Sequence, residues 1–304
     1  MPGIAKIVLD NVKLPSEKAE LLIPFFRQIK RQYGDPVALV HDKGRRILSA
    51  INTVFPGVPD FICHFHFLRD IGKDLLEKEY AIIRRRLTKH KIRSLLRQRA
   101  KALEKIIGDN TQVFCHLALS IDGGEPPVME KMDPTAAYAM IHWTFDRSAL
   151  DGYGFPFDYP HLVFYRKPTV LYDLVNGQLG TNKTLSKLWR PLTRVVEDPQ
   201  LKRAASQMDK KVTVFNKLRK ALSIAVAQTH KGLNDDGGQV SITSIEKKVT
   251  EFRQEIFSSR HKDDYQSMIK QIDKYWDKLF ADPIVVNTPN GQLTIQPHRT
   301  NNIL

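Results

Sequence analysis

The sequence predicts a mixed chain, α/β plus mainly α: a β-α-β-α-β core segment interrupted by a large helical insertion. Three observations predict it. Over residues 1–75 short apolar runs alternate with amphipathic stretches, the pattern of a parallel, buried sheet with covering helices. From about Phe67 to Phe280 strand signals nearly vanish and long, charged, amphipathic helices take over. Near the end two β-like runs flank Pro289-Asn290-Gly291, a hairpin signal. The expected division is 1–75 for the partial core, 76–281 for the helical insertion and 282–304 for a hairpin returning to the core.

Each element has a local reason. "IAKIVLDNV" (4–12) is rich in β-branched residues and reads as a strand. Ser16 is a plausible N-cap for a helix running to about Tyr33, with Leu22, Phe25, Phe26, Ile29 and Tyr33 at helical spacing and Pro24 as a possible kink. Gly34-Asp35-Pro36 stops it. "VALVH" (37–41) reads as a short buried strand, Lys43 to Val54 as a helix, and "DFICHFH" (60–66) as a third strand or strand end. Helices are expected near 67–107, 111–121, 134–148, 161–176, 183–195, 198–230, 241–258 and 262–280. "DGGEPP", "DGYGFPFDYP" and "NDDGGQ" are turns or loops between them.

Composition narrows the function. The chain has 304 residues, 42% hydrophobic and 26% charged, as in a globular protein. It has no run of eighteen apolar residues, so no membrane span is expected. "MPGIAKIVLD" lacks a signal-peptide pattern, so a cytoplasmic location is expected. Two cysteines, Cys63 and Cys115, do not make a disulfide scaffold. The net charge is +14 and the pI about 9.7. Such an excess favours a polyanion, most often nucleic acid, over a basic protein with no special partner. No dinucleotide or Walker phosphate loop is present, and no G-x-S-x-G.

Four features could carry chemistry. Asp42 ends an apolar run. At the C-terminal end of a parallel strand, a carboxylate lies where such sheets bind ligands and could hold a divalent metal; the local pattern alone favours a helix cap for the segment starting at Lys43. Cys63-x-x-His66 has a spacing that could place two ligands on one ion. Structural zinc needs four, with only His64 an obvious third, so zinc is disfavoured against a buried Cys beside a hydrogen-bonded His.

The stretch 81–107 is the most charged. Arg84, Arg85, Arg86, Lys89, Lys91, Arg93, Arg97, Arg99, Lys101 and Lys105 stand against one acid, Glu104, with Ile92, Leu95, Leu96, Leu103 and Ile106 as the buried stripe. A solvated helix face normally mixes both signs; this imbalance favours phosphate contact. Finally, Tyr153, Phe155, Phe157, Tyr159, Phe164 and Tyr165 lie beside Arg166 and Lys167. Such a set can stack bases, although a packed cover over a helical core is the commoner use.

The segment "ALVHDKGRRILSAINTVFPGVPDFICHFHFLRDIGKDLL" resembles the region around the second catalytic acid of DDE transposases of the Mutator-like type, through Asp42, Phe55-Pro56, Cys63 and His66. "PHRTNNIL" resembles the run leading into that family's third acid. The resemblance implies a partial ribonuclease H-like core with Asp42 binding Mg²⁺ or Mn²⁺, and Cys63 and His66 close to that catalytic site. It implies a helical insertion, transposon-end DNA as partner, self-association, and a bacterial or archaeal nucleoid-associated location. In that fold the first acid precedes the strand assigned here to 4–9, and Asp10 is the only nearby substitute. The expectation is therefore a fragment lacking the first Asp and the third Glu, inactive alone, since two-metal transfer needs carboxylates on both ions. The alternative is a non-catalytic DNA-binding remnant acting as a repressor or architectural protein.

Overall fold

The computed structural model describes residues 9–108, 133–148, 150, 152–177, 183–224, 241–280, 284–288 and 291–295. Among them the chain is mostly helical, with four short strands. It divides into two compact units, residues 1–71 with 215–304 and residues 72–214.

In the first unit α1 (Ala19–Tyr33) starts after Lys18, not at the expected Ser16 cap, and accommodates Pro24. Gly34, at φ +82, ends it and donates its amide to the Lys30 carbonyl at 2.9 Å. β1 (Leu39–His41), α2 (Arg45–Val54) and β2 (Asp60–Ile62) follow. α1 packs on α2, with the Phe26 and Phe55 rings 6.2 Å apart. β1 and β2 are parallel, pairing Leu39 with Asp60 and His41 with Ile62.

Of the expected β-α-β-α-β segment, the described residues form one β-α-β unit in an α-rich chain. Residues 9–12 of the expected first strand are not extended into a sheet, and residues 4–8 lie outside the described residues. The strand expected over 60–66 stops at Ile62, and α3 (His64–Lys89) begins two residues later. The physical reason is visible in the packing. Phe67, Leu68 and Ile71 are at most 1% exposed, and their 1-3-4 spacing buries one helical face.

The second unit contains the rest of α3, then α4 (Ile92–Ile107), α5 (Pro134–Phe145), α6 (Pro160–Asn176), α7 (Lys183–Val196) and the start of α8 (Pro199–Ala221). The single helix expected over 67–107 is broken, because Lys91 adopts a left-handed conformation at φ +52. α4 packs on α5 and α7, and α6 on α7. Leu87, Ile92, Leu96, Leu103, Met140 and Leu192 are buried in this unit. The caps are sequence-encoded. Asp133 Oδ1 accepts the Ala136 amide at 2.7 Å, with Pro134 in the first turn, and Asp198 Oδ1 accepts the amides of Gln200 and Leu201. The aromatic loop is a packed cover: Phe155 stacks on Tyr80 with centroids 4.4 Å apart, and Phe157 is buried.

The first unit resumes with α9 (Ile242–Ser258), capped by Ser241, then a 3-10 turn (Lys262–Tyr265), α10 (Gln266–Lys274) and α11 (Trp276–Phe280). The expected 262–280 helix is thus divided at Tyr265 and Tyr275. β3 (Ile284–Thr288) and β4 (Gly291–Ile295) form the expected antiparallel pair, Ile284 opposite Ile295. The helix expected at 111–121, Cys115, and the run at 297–304 lie outside the described residues. Among the described residues no helix is long and apolar enough to cross a membrane.

Candidate functional site

Asp42 immediately follows β1, at the carboxyl end of the parallel pair. It is not the cap of α2, whose N-cap is Gly44. Its Oδ1 accepts the Gly44 amide at 3.1 Å, closing a tight turn in which Lys43 sits at φ +69. That left-handed conformation costs a non-glycine residue about 1 kcal/mol, so something must hold it. Three contacts do: the Lys43 amide donates to His41 Nδ1 at 3.0 Å, its Nζ lies 2.9 Å from Asp70 Oδ2, and the same ammonium lies over the Phe67 and Tyr275 rings.

His41 is fixed from its other side. Because a backbone amide donates to Nδ1, the ring proton sits on Nε2 and is donated to Asp60 Oδ2 at 2.9 Å. Lys278 also reaches Asp60, at 2.5 Å. Burial alone would raise the Asp60 pKa, but the hydrogen bonds from Lys278 and His41 and the Lys278 charge outweigh it and bring it below the usual value. The carboxylate therefore stays charged and anchors the turn that presents Asp42.

Cys63 and His66 come to the same rim. The Cys63 amide donates to the His41 carbonyl at 3.0 Å, and the side chain is buried. His66 lies half-buried in the first turn of α3. Burial pushes its imidazole below the ordinary value, with the Arg69 charge adding to this and Asp42 and Asp70 opposing it. His66 Nδ1 is buried without a hydrogen-bond partner. His64 points elsewhere: it is fully buried, and its Nε2 donates to the Leu279 carbonyl at 3.0 Å. It is a packing residue and not a third ligand beside Cys63 and His66.

The implied Mg²⁺ or Mn²⁺ wants several oxygen ligands. Asp42 offers one carboxylate. Asp70, whose charge also acts on His66, is tied to Lys43. Among the described residues no three His, Cys, Asp or Glu side chains converge as a metal group. Among the described residues, Asp42 is the rim carboxylate that could offer an oxygen to such an ion.

The cations of α3 and α4 separate into two kinds. Arg84, Arg85, Lys89, Lys91, Arg97 and Lys101 are exposed. Arg86 is not available to a partner. With His90 it grips Asp198, whose side chain is 1% exposed, at 2.5 and 2.6 Å. Burial would raise the Asp198 pKa, but hydrogen bonds from His90, the Leu201 amide and Arg86 bring it down to about 2. Arg93 is half-buried with its guanidinium 4.0 Å from the Phe164 ring centroid, and Arg97 lies over Phe145. Arg99 is half-buried on α4.

Two groups of residues escaped the sequence reading. His41 and Asp60 organise the rim but contact each other across nineteen positions of sequence. Lys187, Arg190 and Arg194 of α7 are exposed, and their i, i+3, i+7 spacing was the available signal. Comparison with protein-family models, curated proteins and solved structures returns no match.

Proposed function

We propose that the chain is a DDE transposase of the Mutator-like type that binds transposon DNA, with β1–α2–β2 as part of a ribonuclease H-like sheet. The observation that carries the reading is the meeting of Asp42, Cys63 and His66 at one rim of a parallel strand pair, since these are the residues on which the resemblance stands. Open α/β sheets bind their ligands at that rim. The excess of cations supports the DNA partner.

In this reading Mg²⁺ or Mn²⁺ supplies the electrophilic pull on the transferring phosphoryl group, and Asp42 would hold one oxygen position on it. The chain's own contribution is to fix that carboxylate by the Gly44 amide and the His41–Asp60–Lys278 chain. His66, kept neutral by burial, would border the bound strand without adding charge. Arg84, Arg85, Lys89, Lys91, Arg97 and Lys101 would meet backbone phosphates.

Two-metal transfer needs carboxylates on both ions, and Asp42 is one, so the reading expects the chain alone to bind but not to cut. A second reading is a non-catalytic DNA-binding remnant serving as a repressor or architectural protein, which the excess of cations supports equally. Labelled duplex DNA incubated with the chain and Mg²⁺ or Mn²⁺ tests both. The expected result is retention of the duplex, unchanged or slightly tighter in Asp42→Ala, without strand scission. Absence of retention would refute the function. Scission abolished by Asp42→Ala would establish the transposase reading and refute the remnant.

A further inference from the structure

α4 and α7 enclose a cleft of about 390 Å³ in the second unit, a volume within the range of small-ligand sites. Its wall carries four cations, Arg99 from α4 and Lys187, Arg190 and Arg194 from α7, and no acid. Leu95 and Pro191 give it apolar surface between them. Among the described residues no carboxylate pairs with Lys187, Arg190 or Arg194, all three of which are exposed. Arg99 is different: burial lowers its pKa, as expected where a guanidinium leaves water.

Like charges gathered round a concavity are unfavourable unless an anion offsets them. The spacing says which anion. Positions 187, 190 and 194 share one face of α7, and at 1.5 Å per residue they span about 10 Å along it. One strand of a duplex advances about 3.4 Å along the axis per step, so this row spans about three such steps. A protein partner of this size would be expected to fill an aromatic anchor pocket; here the cleft surface is cationic with short apolar patches, which suits ribose and phosphate.

We infer that the α4–α7 cleft is a phosphodiester-binding groove, gripping one strand through Arg99, Lys187, Arg190 and Arg194. This deepens the proposed DNA-binding reading and rests on it. It also moves the centre of binding from the 81–107 stretch to a surface shared with α7.

The test compares the full chain with two charge-matched variants, Arg190→Glu/Arg194→Glu in the cleft and Lys247→Glu/Lys248→Glu on α9, by titrating labelled duplex DNA across salt concentrations. Circular-dichroism melting of each variant confirms folding, and the single changes Arg190→Gln and Arg194→Gln repeat the test with a smaller perturbation. The cleft double variant is expected to bind about tenfold or more weakly at physiological salt, with a log–log salt slope reduced by about 2. The α9 variant is expected to change affinity by less than about threefold, a non-specific field effect. If the chain does not bind DNA at all, the functional reading fails. If it binds and the two double variants lose affinity equally, the groove fails while the function stands. Displacement by polyglutamate as readily as by DNA would assign the cleft to acidic protein segments and overturn the groove.

Discussion

At the β1–β2 rim charges are matched: Lys43 to Asp70 and Lys278 to Asp60, with His41 hydrogen-bonded to the same carboxylate. On α3 and α4 they are not. Arg84, Arg85, Lys89, Lys91, Arg97 and Lys101 are exposed, and among the described residues none is ion-paired. Matched, partly buried charges hold a backbone in place and fix one carboxylate. Unmatched surface cations hold little in the fold, Arg97 over the Phe145 ring apart, and are available to a polyanion. The two regions thus use the same residue types for positioning in one case and for attraction in the other, and Arg86, bound to Asp198 amid the attracting set, shows that position in the sequence does not decide which.

The largest test of that distinction is Asp198→Ala. It leaves Arg86 and His90 without their carboxylate and uncaps α8, and is expected to lower stability by about 3–5 kcal/mol, read by urea unfolding. A loss under about 1 kcal/mol would place Arg86 with the attracting cations after all. Arg97→Ala should do the opposite, leaving urea unfolding nearly unchanged while reducing the salt slope of DNA binding by about 1.

Acid should act in two stages. Burial holds His66, His142 and His161 below the ordinary imidazole value of 6.5. The unfolded chain therefore takes up protons that the folded chain refuses, and stability falls as pH drops below 6.5. Asp198 is depressed from 3.8 to about 2, so its contribution is complete above 3.8 and is lost as pH falls toward about 2. Stability measured from pH 7 downward should show both steps; a flat profile to pH 4 would contradict the first.

Smaller effects report on the rim. A Cβ at Gly44 would lie 3.2 Å from Asp42 Oδ1 and 3.3 Å from Ile47 Cδ1. Gly44→Ala should therefore cost about 1 kcal/mol and shift Asp42. Asp42→Asn removes a charge that raises the His66 pKa, so the His66 titration followed by NMR should move further down. An unchanged titration would show that Asp42 does not face His66.

Much of the fold was legible. The C-terminal ends of α1 and α2, at Gly34 and before Pro56-Gly57, and the β3–β4 pair follow from local chemistry that the sequence displays. The break at Lys91 was not, because the apolar stripe continues through Ile92 and Leu96 and no Gly or Pro marks the turn. "DFICHFH" reads as strand from its apolar content, but the burial of Phe67, Leu68 and Ile71 on one face draws its last residues, from His64, into the start of a helix. At the candidate site Asp42, Cys63 and His66 were visible as types at strand ends. The partners that fix the turn, Asp60 and Lys278, and the Arg86–Asp198 pair 112 positions apart, depend on contacts distant in sequence and leave no local pattern.

The central claim is that unmatched cations make this chain a nucleic-acid binder, and the salt dependence of its affinity for duplex DNA tests it most directly. At least four phosphate contacts predict that log K falls linearly with log salt with a slope of about −3.5 or steeper. A slope near zero, or no binding at low salt, would contradict the claim.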